Sequence, residues 1–338
     1  MNITIKDIAR VTNVSPATVS RVLNNVGGYN EATRKKVLQA AAELGYRRNE
    51  SARSLVKNSS NLIGVIMPQV STLFYGDIMT GIERAAHQSG YSIIISHSGN
   101  VGDKIPECIK LMAERKVDGL IIATVEINDE HLAMVQELRI PYLLLATRMP
   151  DRNVPYLKVN DFDAAYTATH HLIENGHEKI GLVGLSLTDR VAGTTRFEGY
   201  KRALEDNGLK FDPHLVKEGD YGFYSGQRAM QSYLQEKTEL TAVFCVSDDV
   251  ALGVISVAAD HGIQIPDDLS VVGYDNTIIA EMSIPPLTSI DQPFMEMGEE
   301  GCSMVIDAIR HKQKIYSKIM PYTLVERRSV KQITHKIF

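Results

Sequence analysis

The sequence predicts a small all-α head joined to an α/β body built as two doubly wound parallel-sheet lobes. Three observations predict it. Residues 1–58 hold ten Lys or Arg against four Asp or Glu, a net of +6, so the other 280 residues must carry −11 to give the chain's −5. Within the basic head, apolar residues recur at helical spacing between clear start and stop signals. From residue 62 onward, short unbroken apolar runs alternate with longer amphipathic segments, the pattern of strands buried on both faces between crossover helices.

The head reads as three short helices. Thr4, three residues before Asp7, makes a capping-box-like start for a helix to about Thr12, with Ile5, Ile8 and Ala9 on one face. Ser15-Pro16 opens the second helix, with Ser15 as N-cap and Pro16 at the first helical position, where its missing N–H costs nothing. Val19, Val22 and Leu23 point inward, and "NNVGG" ends the helix. Asn30 caps a third helix whose inner side is Val37, Leu38, Ala41 and Leu44, closed by Gly45. Two short helices on a tight turn with a supporting third make a helix-turn-helix unit. Such a unit presents the start of its second helix to the major groove. There Ser15 and Thr18 suit phosphate, Pro16 and Ala17 suit a thymine methyl, and Ser20 lies alongside. Arg21 is the long donor able to grip a guanine edge. Thr4, Asn24, Asn30, Thr33 and Arg34 complete the DNA-facing set expected of the head.

The whole chain is 44% apolar and 23% charged, values of a soluble globular protein. "LIGVIM", "YSIIIS", "DGLIIAT" and "YLLLAT" read as strands of one lobe. "KIGLVG", "TAVFCV" and "LSVVGYD" read as strands of a second, with helices expected over 161–175, 190–207, 225–235 and 249–261. Ligands of such sheets bind beyond the carboxyl ends of the strands. No apolar run reaches the roughly 18 residues of a membrane span. "MNITIKDIAR" has no secretory pattern, so a cytoplasmic protein without membrane contact is expected. Cys108, Cys245 and Cys302 lack C-x-x-C spacing and read as small buried hydrophobes of a reducing compartment.

"TIKDIARVTNVSPATVSRVLNN", "TRKKVLQAAAELGYRRNESARSL" and "NLIGVIMP" together resemble the lactose/galactose repressor family of bacterial transcription regulators. Departures sit at Thr12-Asn13, where the family has Ala-Gly, and at Asn30, where it has Ser. The resemblance implies a periplasmic-binding-protein-like body and a hinge helix over 49–58. In that helix Asn49 is the cap, Ala52 allows close approach, Arg53 and Lys57 meet phosphates, and Leu55 wedges into the minor groove. It also implies an effector cleft held by Phe74, Asp77, Asp161, Arg196, Tyr221, Asp248 and Asp275. Asn160-Asp161 reverses the usual order, and Asp248-Asp249 replaces the usual Asn-Asp.

The expected boundaries are 1–48 for the head and 49–60 for the hinge. Residues 61–160 with 291–318 form the first lobe, 161–290 with 319–330 the second, and 331–338 a tail too short for a tetramerising coiled coil. A homodimer on a pseudo-palindromic duplex operator follows, controlling carbohydrate-utilisation genes through a small-molecule effector. The cleft residues favour a sugar and require no cofactor or metal. A nucleobase and a protein corepressor are the alternatives within the family; a sugar-binding transport or chemoreceptor protein is the alternative outside it. An enzyme is disfavoured. There is no phosphate-binding glycine loop, "GLVG" is too short for a dinucleotide site, and adjacent His170 and His171 lack zinc spacing.

Overall fold

The computed structural model describes residues 3–46, 59–68, 73–99 and 102–333. The chain divides into two compact units, residues 1–60 and 61–338.

In the first unit, α1 (Ile5–Thr12) begins with the full capping box, Thr4 accepting from the Asp7 N–H while the Asp7 carboxylate accepts from Thr4. Asn13 turns the chain in the left-handed region at φ 52°, the conformation asparagine tolerates best after glycine. α2 (Pro16–Asn24) is capped by Ser15, whose Oγ accepts from the Thr18 N–H at 3.1 Å. α3 (Glu31–Glu43) is capped by Asn30. Its far end closes at Gly45 through Tyr46 N–H to Ala41 C=O and Gly45 N–H to Ala42 C=O, a Schellman pair. Ile8, Val19, Val22 and Val37 form the core with Ala40 and Ala41. Leu38, expected inward, is exposed, because the i, i+3, i+4 stripe from Val37 runs through Ala40 and Ala41.

The second unit opens with β1 (Leu62–Met67), α4 (Phe74–Gln88), β2 (Ser92–His97), α5 (Ile105–Arg115), β3 (Gly119–Ala123), α6 (Asp129–Glu137), β4 (Tyr142–Leu145) and β5 (Tyr156–Val159). It continues with α7 (Asp161–Glu174), β6 (Ile180–Val183), α8 (Gly193–Asp206), β7 (Val216–Lys217), α9 (Phe223–Glu236), β8 (Ala242–Cys245), α10 (Asp248–Asp260), β9 (Ser270–Asp275), α11 (Ile278–Met282) and β10 (Thr288–Asp291). α12 (Phe294–His311), β11 (Lys318–Met320) and β12 (Thr323–Val325) complete it. The strands form two six-stranded sheets, ordered β11-β5-β4-β3-β1-β2 and β12-β10-β9-β8-β6-β7. All pairings are parallel except β10–β12, an antiparallel edge that the reading of an all-parallel second lobe did not anticipate.

The chain crosses between the lobes at Asn160, at Gln292-Pro293 and at Pro321-Tyr322. Ile319 pairs with Lys158, so β11 belongs to the first sheet and the third crossing lies beyond the expected position at 319. Within each lobe, glycines set the helix spacing. A Cβ on Gly81 of α4 would lie 2.0 Å from the Met295 carbonyl oxygen of α12, and one on Gly298 would lie 2.2 Å from the Ile78 carbonyl. Gly226 and Gly253 give α9 and α10 the same close approach. No described helix is long and apolar enough to cross a membrane.

Candidate functional site

In the head, Pro16, Ala17, Arg21 and Asn24 are exposed along α2, and Thr18 and Ser20 are half-buried. Ser15 and Thr18 share a hydrogen bond of 2.9 Å, and Asn24 donates to Ser20 at 3.2 Å, so the outer face is ordered by its own side chains. The Arg21 guanidinium stands beside Gly28, where a Cβ would come within 3.4 Å of its Nη1. That is ordinary contact; glycine suits position 28 because its backbone lies in the left-handed region at φ 77°. Thr4 and Asn30 are spent as helix caps, and Thr33 gives its N–H to Asn30. Arg34 pairs with Glu31 at 2.9 Å in an exposed bridge that a phosphate can replace at little cost. Asn49, Ala52, Arg53, Leu55 and Lys57 lie outside the described residues.

In the body, the carboxyl ends of the second sheet bring Arg196, Tyr221 and Asp275 together. Arg196, on α8, is buried. Its Nε donates to Asp161 at 2.8 Å, its Nη1 donates to the Val246 carbonyl at 2.7 Å, and its plane lies 3.8 Å from the Tyr274 ring centre. No described residue hydrogen-bonds its Nη2. Against the cost of burial, Tyr274 and then Asp161 hold the guanidinium protonated. Asp275 ends β9 with φ 107°, and Asn276 follows at φ 50°. Such backbone costs about 1–3 kcal/mol and is held here by surrounding bonds. Gln292 donates to Asp275 at 2.8 Å, Asn276 donates to Asp291 at 2.7 Å, and Arg327 donates to Asn276 at 2.8 Å. Burial drives the Asp275 carboxyl well above the usual range, with Arg196 pulling the other way. The Tyr221 hydroxyl donates to Asp189 at 2.6 Å, and Asp189 also accepts the N–H groups of Val191 and Ala192.

Two expected cleft residues have other work. Asp248 is buried, with Oδ2 accepting from the Thr277 N–H and hydroxyl and Oδ1 accepting from Ser289. Its acceptors are taken up in joining the ends of β8, β9 and β10. Asp161 likewise gives one oxygen to Lys158 and the other to Arg196 and Tyr274. In these bonds Asp161 is 3% and Asp248 1% exposed. On the first lobe, Phe74 is stacked between Tyr75 and Phe294, with ring centres 4.2 and 4.6 Å away, and Asp77 is exposed in the first turn of α4. Arg190 meets Asp151 across the lobes at 2.8 Å. Sequence reasoning missed Lys158, Asp189, Tyr274 and Gln292. A lysine inside the apolar strand run "YLKV" was the one legible signal.

Asp248 gives a test of its supporting role. Burial pushes its carboxyl up to about 6, with the Ser289 and Thr277 bonds opposing. A folded pKa above the unfolded value means that stability falls as pH rises from about 4 through about 6, then levels. Asp248→Asn keeps an acceptor for Thr277 and gains a donor for Ser289. It is expected to raise stability at pH 7.5 by up to about 3 kcal/mol and to remove this component of the pH dependence, measured by urea unfolding at several pH values.

Residues 4–49 match the family described as bacterial regulatory proteins, lacI family, and residues 169–330 match the periplasmic binding protein-like domain. The chain is 36% identical to catabolite control protein A of Priestia megaterium over 98% of its own length and 100% of that protein's. It is 34% identical to the HTH-type transcriptional repressor PurR of Vibrio atlanticus, covering 98% and 99%. Among solved structures, the lac repressor dimer bound to operator and the anti-inducer ONPF aligns with a TM-score of 0.88 at 28% identity, over 98% of this chain and 100% of that one. The transcriptional regulator CelR in complex with cellobiose aligns at 0.75 and 29%, over 97% and 100%.

Proposed function

Since this chain belongs to the lacI family of bacterial transcriptional regulators and its relatives are not enzymes, we propose that it is a cytoplasmic repressor of carbohydrate-utilisation genes. It acts as a homodimer on a pseudo-palindromic operator and answers to a sugar held between Arg196 and Asp275. The observation that carries the effector reading is the pair itself. A buried guanidinium whose Nη2 has no described protein partner and a buried carboxyl on strained backbone stand close together at the carboxyl ends of the second sheet. One donates and the other accepts, which suits neighbouring hydroxyls. The cellobiose carried by CelR supports the sugar class, and the likeness to PurR keeps a nucleobase as the second reading.

A second copy has a place to bind. Ile278, Met282 and Ile284, on and just after α11, are 55%, 73% and 88% exposed. An apolar row of this kind fits a dimer face.

Isothermal calorimetry with D-glucose, D-ribose, cellobiose, sucrose and hypoxanthine tests the effector class. Binding of hypoxanthine alone would move the assignment to the second reading, and no binding at all would remove the cleft assignment. Selection from a random duplex pool should enrich a pseudo-palindrome that residues 59–338 alone do not hold. Arg21→Ala is expected to weaken the selected site by about 1–3 kcal/mol and relax one base position. Leu55→Ala should weaken it while sparing effector binding; unchanged affinity would remove the wedge.

A further inference from the structure

Lys158 is a buried cation in an apolar strand, 5% exposed, and its ammonium donates to Asp161. Asp161 is equally buried and opens α7 in the other lobe. A single residue, Asn160, separates the strand that carries the lysine from the helix that carries the aspartate. The ion pair therefore straddles the first crossing, and rotation of the lobes about Asn160 changes its length directly. The second oxygen of the same carboxylate holds Arg196 Nε at 2.8 Å and the Tyr274 hydroxyl at 3.0 Å. Three buried charges thus form one chain: Lys158 of the first lobe, Asp161 at the crossing, Arg196 in the cleft.

Burying an ion pair gains little over an apolar pair of the same volume, since desolvation offsets the attraction. What the pair adds is geometry. We infer that Lys158 is a positioning residue that couples occupancy of the Arg196 site to the angle between the lobes. A ligand drawing on Arg196 Nη2 shifts the guanidinium, the shift passes to Asp161, and Lys158 carries it into β5. In the absence of ligand the same chain holds one lobe angle. The neighbouring crossing strand moves with it, because Lys158 is in register with Ile319 of β11. This role rests on the cleft assignment above, in which Arg196 meets the effector.

The test uses the full chain. Spin labels at Glu114→Cys and Glu205→Cys, on exposed positions of α5 and α8, report the lobe separation by electron–electron resonance; the native thiols are buried. In ligand-free protein, Lys158→Met is expected to shift or broaden the distance distribution, and Lys158→Arg to restore it. With whichever sugar of the panel binds the parent chain, the ratio of operator Kd with and without that sugar should move toward one by at least about fivefold in Lys158→Met. The sugar should still bind. A lysine that only stabilised the fold would lower the melting temperature without moving that ratio. Should Lys158→Met not fold, Lys158→Met with Asp161→Asn, which keeps an acceptor for Arg196 and Tyr274, carries the same measurements. An unchanged distance distribution overturns the role of Lys158, as does an unchanged ratio. If no panel compound binds the parent, the cleft assignment fails, and the ligand-free distances decide the lysine's role alone.

Discussion

Arg196→Met is expected to lower the stability of the body by about 3–5 kcal/mol and to abolish its response to any cleft ligand. The reason lies in what the arginine leaves behind. Asp161 loses one of its two cationic partners, and Asp275 loses the one cation that opposes its burial. The Val246 carbonyl also loses its side-chain donor. Breaking a buried pair from one side costs far more than the pair was worth, because the remaining charge stays desolvated. Urea unfolding reads the stability, and calorimetry with the panel sugar reads the site. A variant as stable as the parent would mean that Asp161 and Lys158 satisfy each other unaided.

Gly81→Ala is expected to cost about 3 kcal/mol or more, although it adds a single methyl group to a helix. The methyl would sit 2.0 Å from the backbone oxygen of Met295, which cannot move aside as a side chain could. α4 and α12 must separate, and α12 is the helix through which the chain re-enters the first lobe. Gly76→Ala, in the same helix with nothing within 4 Å of the new Cβ, is the control. It should be neutral or stabilising by up to about 1 kcal/mol, as alanine is the better helix former. Equal losses in the two variants would exclude the close approach as the cause.

The parts legible in the sequence were those governed by local chemistry. Thr4, Ser15, Asn30 and Gly45 are capping residues, and they set the helix ends of the head where the residue types predict. The central strands were equally plain, since burial on both faces writes an unbroken apolar run. Short edge strands such as β7 and β11 carry no such run. They exist because a neighbour offers backbone partners, which only the assembled sheet reveals. The cleft divides the same way. Arg196, Tyr221 and Asp275 stand at strand or helix ends where the fold predicts ligand contacts. Asp161 and Asp248 occupy equivalent ends, yet their oxygens are claimed by Lys158, Tyr274, Thr277 and Ser289. Whether a carboxylate meets a ligand or a neighbour depends on residues far along the chain, as Ser289 is 41 positions from Asp248 and Tyr274 is 113 from Asp161. Leu38 shows the same limit in the head, where one helical step decides which of two aliphatic faces is inside.

The three crossings gather along one edge of each sheet, β5 and β11 in the first, β10 and β12 in the second. This makes the body a lever with its fulcrum at that edge. Asp275 ends β9, two strands from β12, and β6, whose loop leads to Arg190, is four strands away. At roughly 4.8 Å per strand the arms are about 10 and about 19 Å. A given rotation therefore moves the end of β6 about twice as far as it moves the end of β9, where Asp275 stands. A compound seated near the fulcrum works with mechanical disadvantage in force and advantage in travel. Small differences in the thickness of what lies between the lobes emerge, magnified, at the far edge.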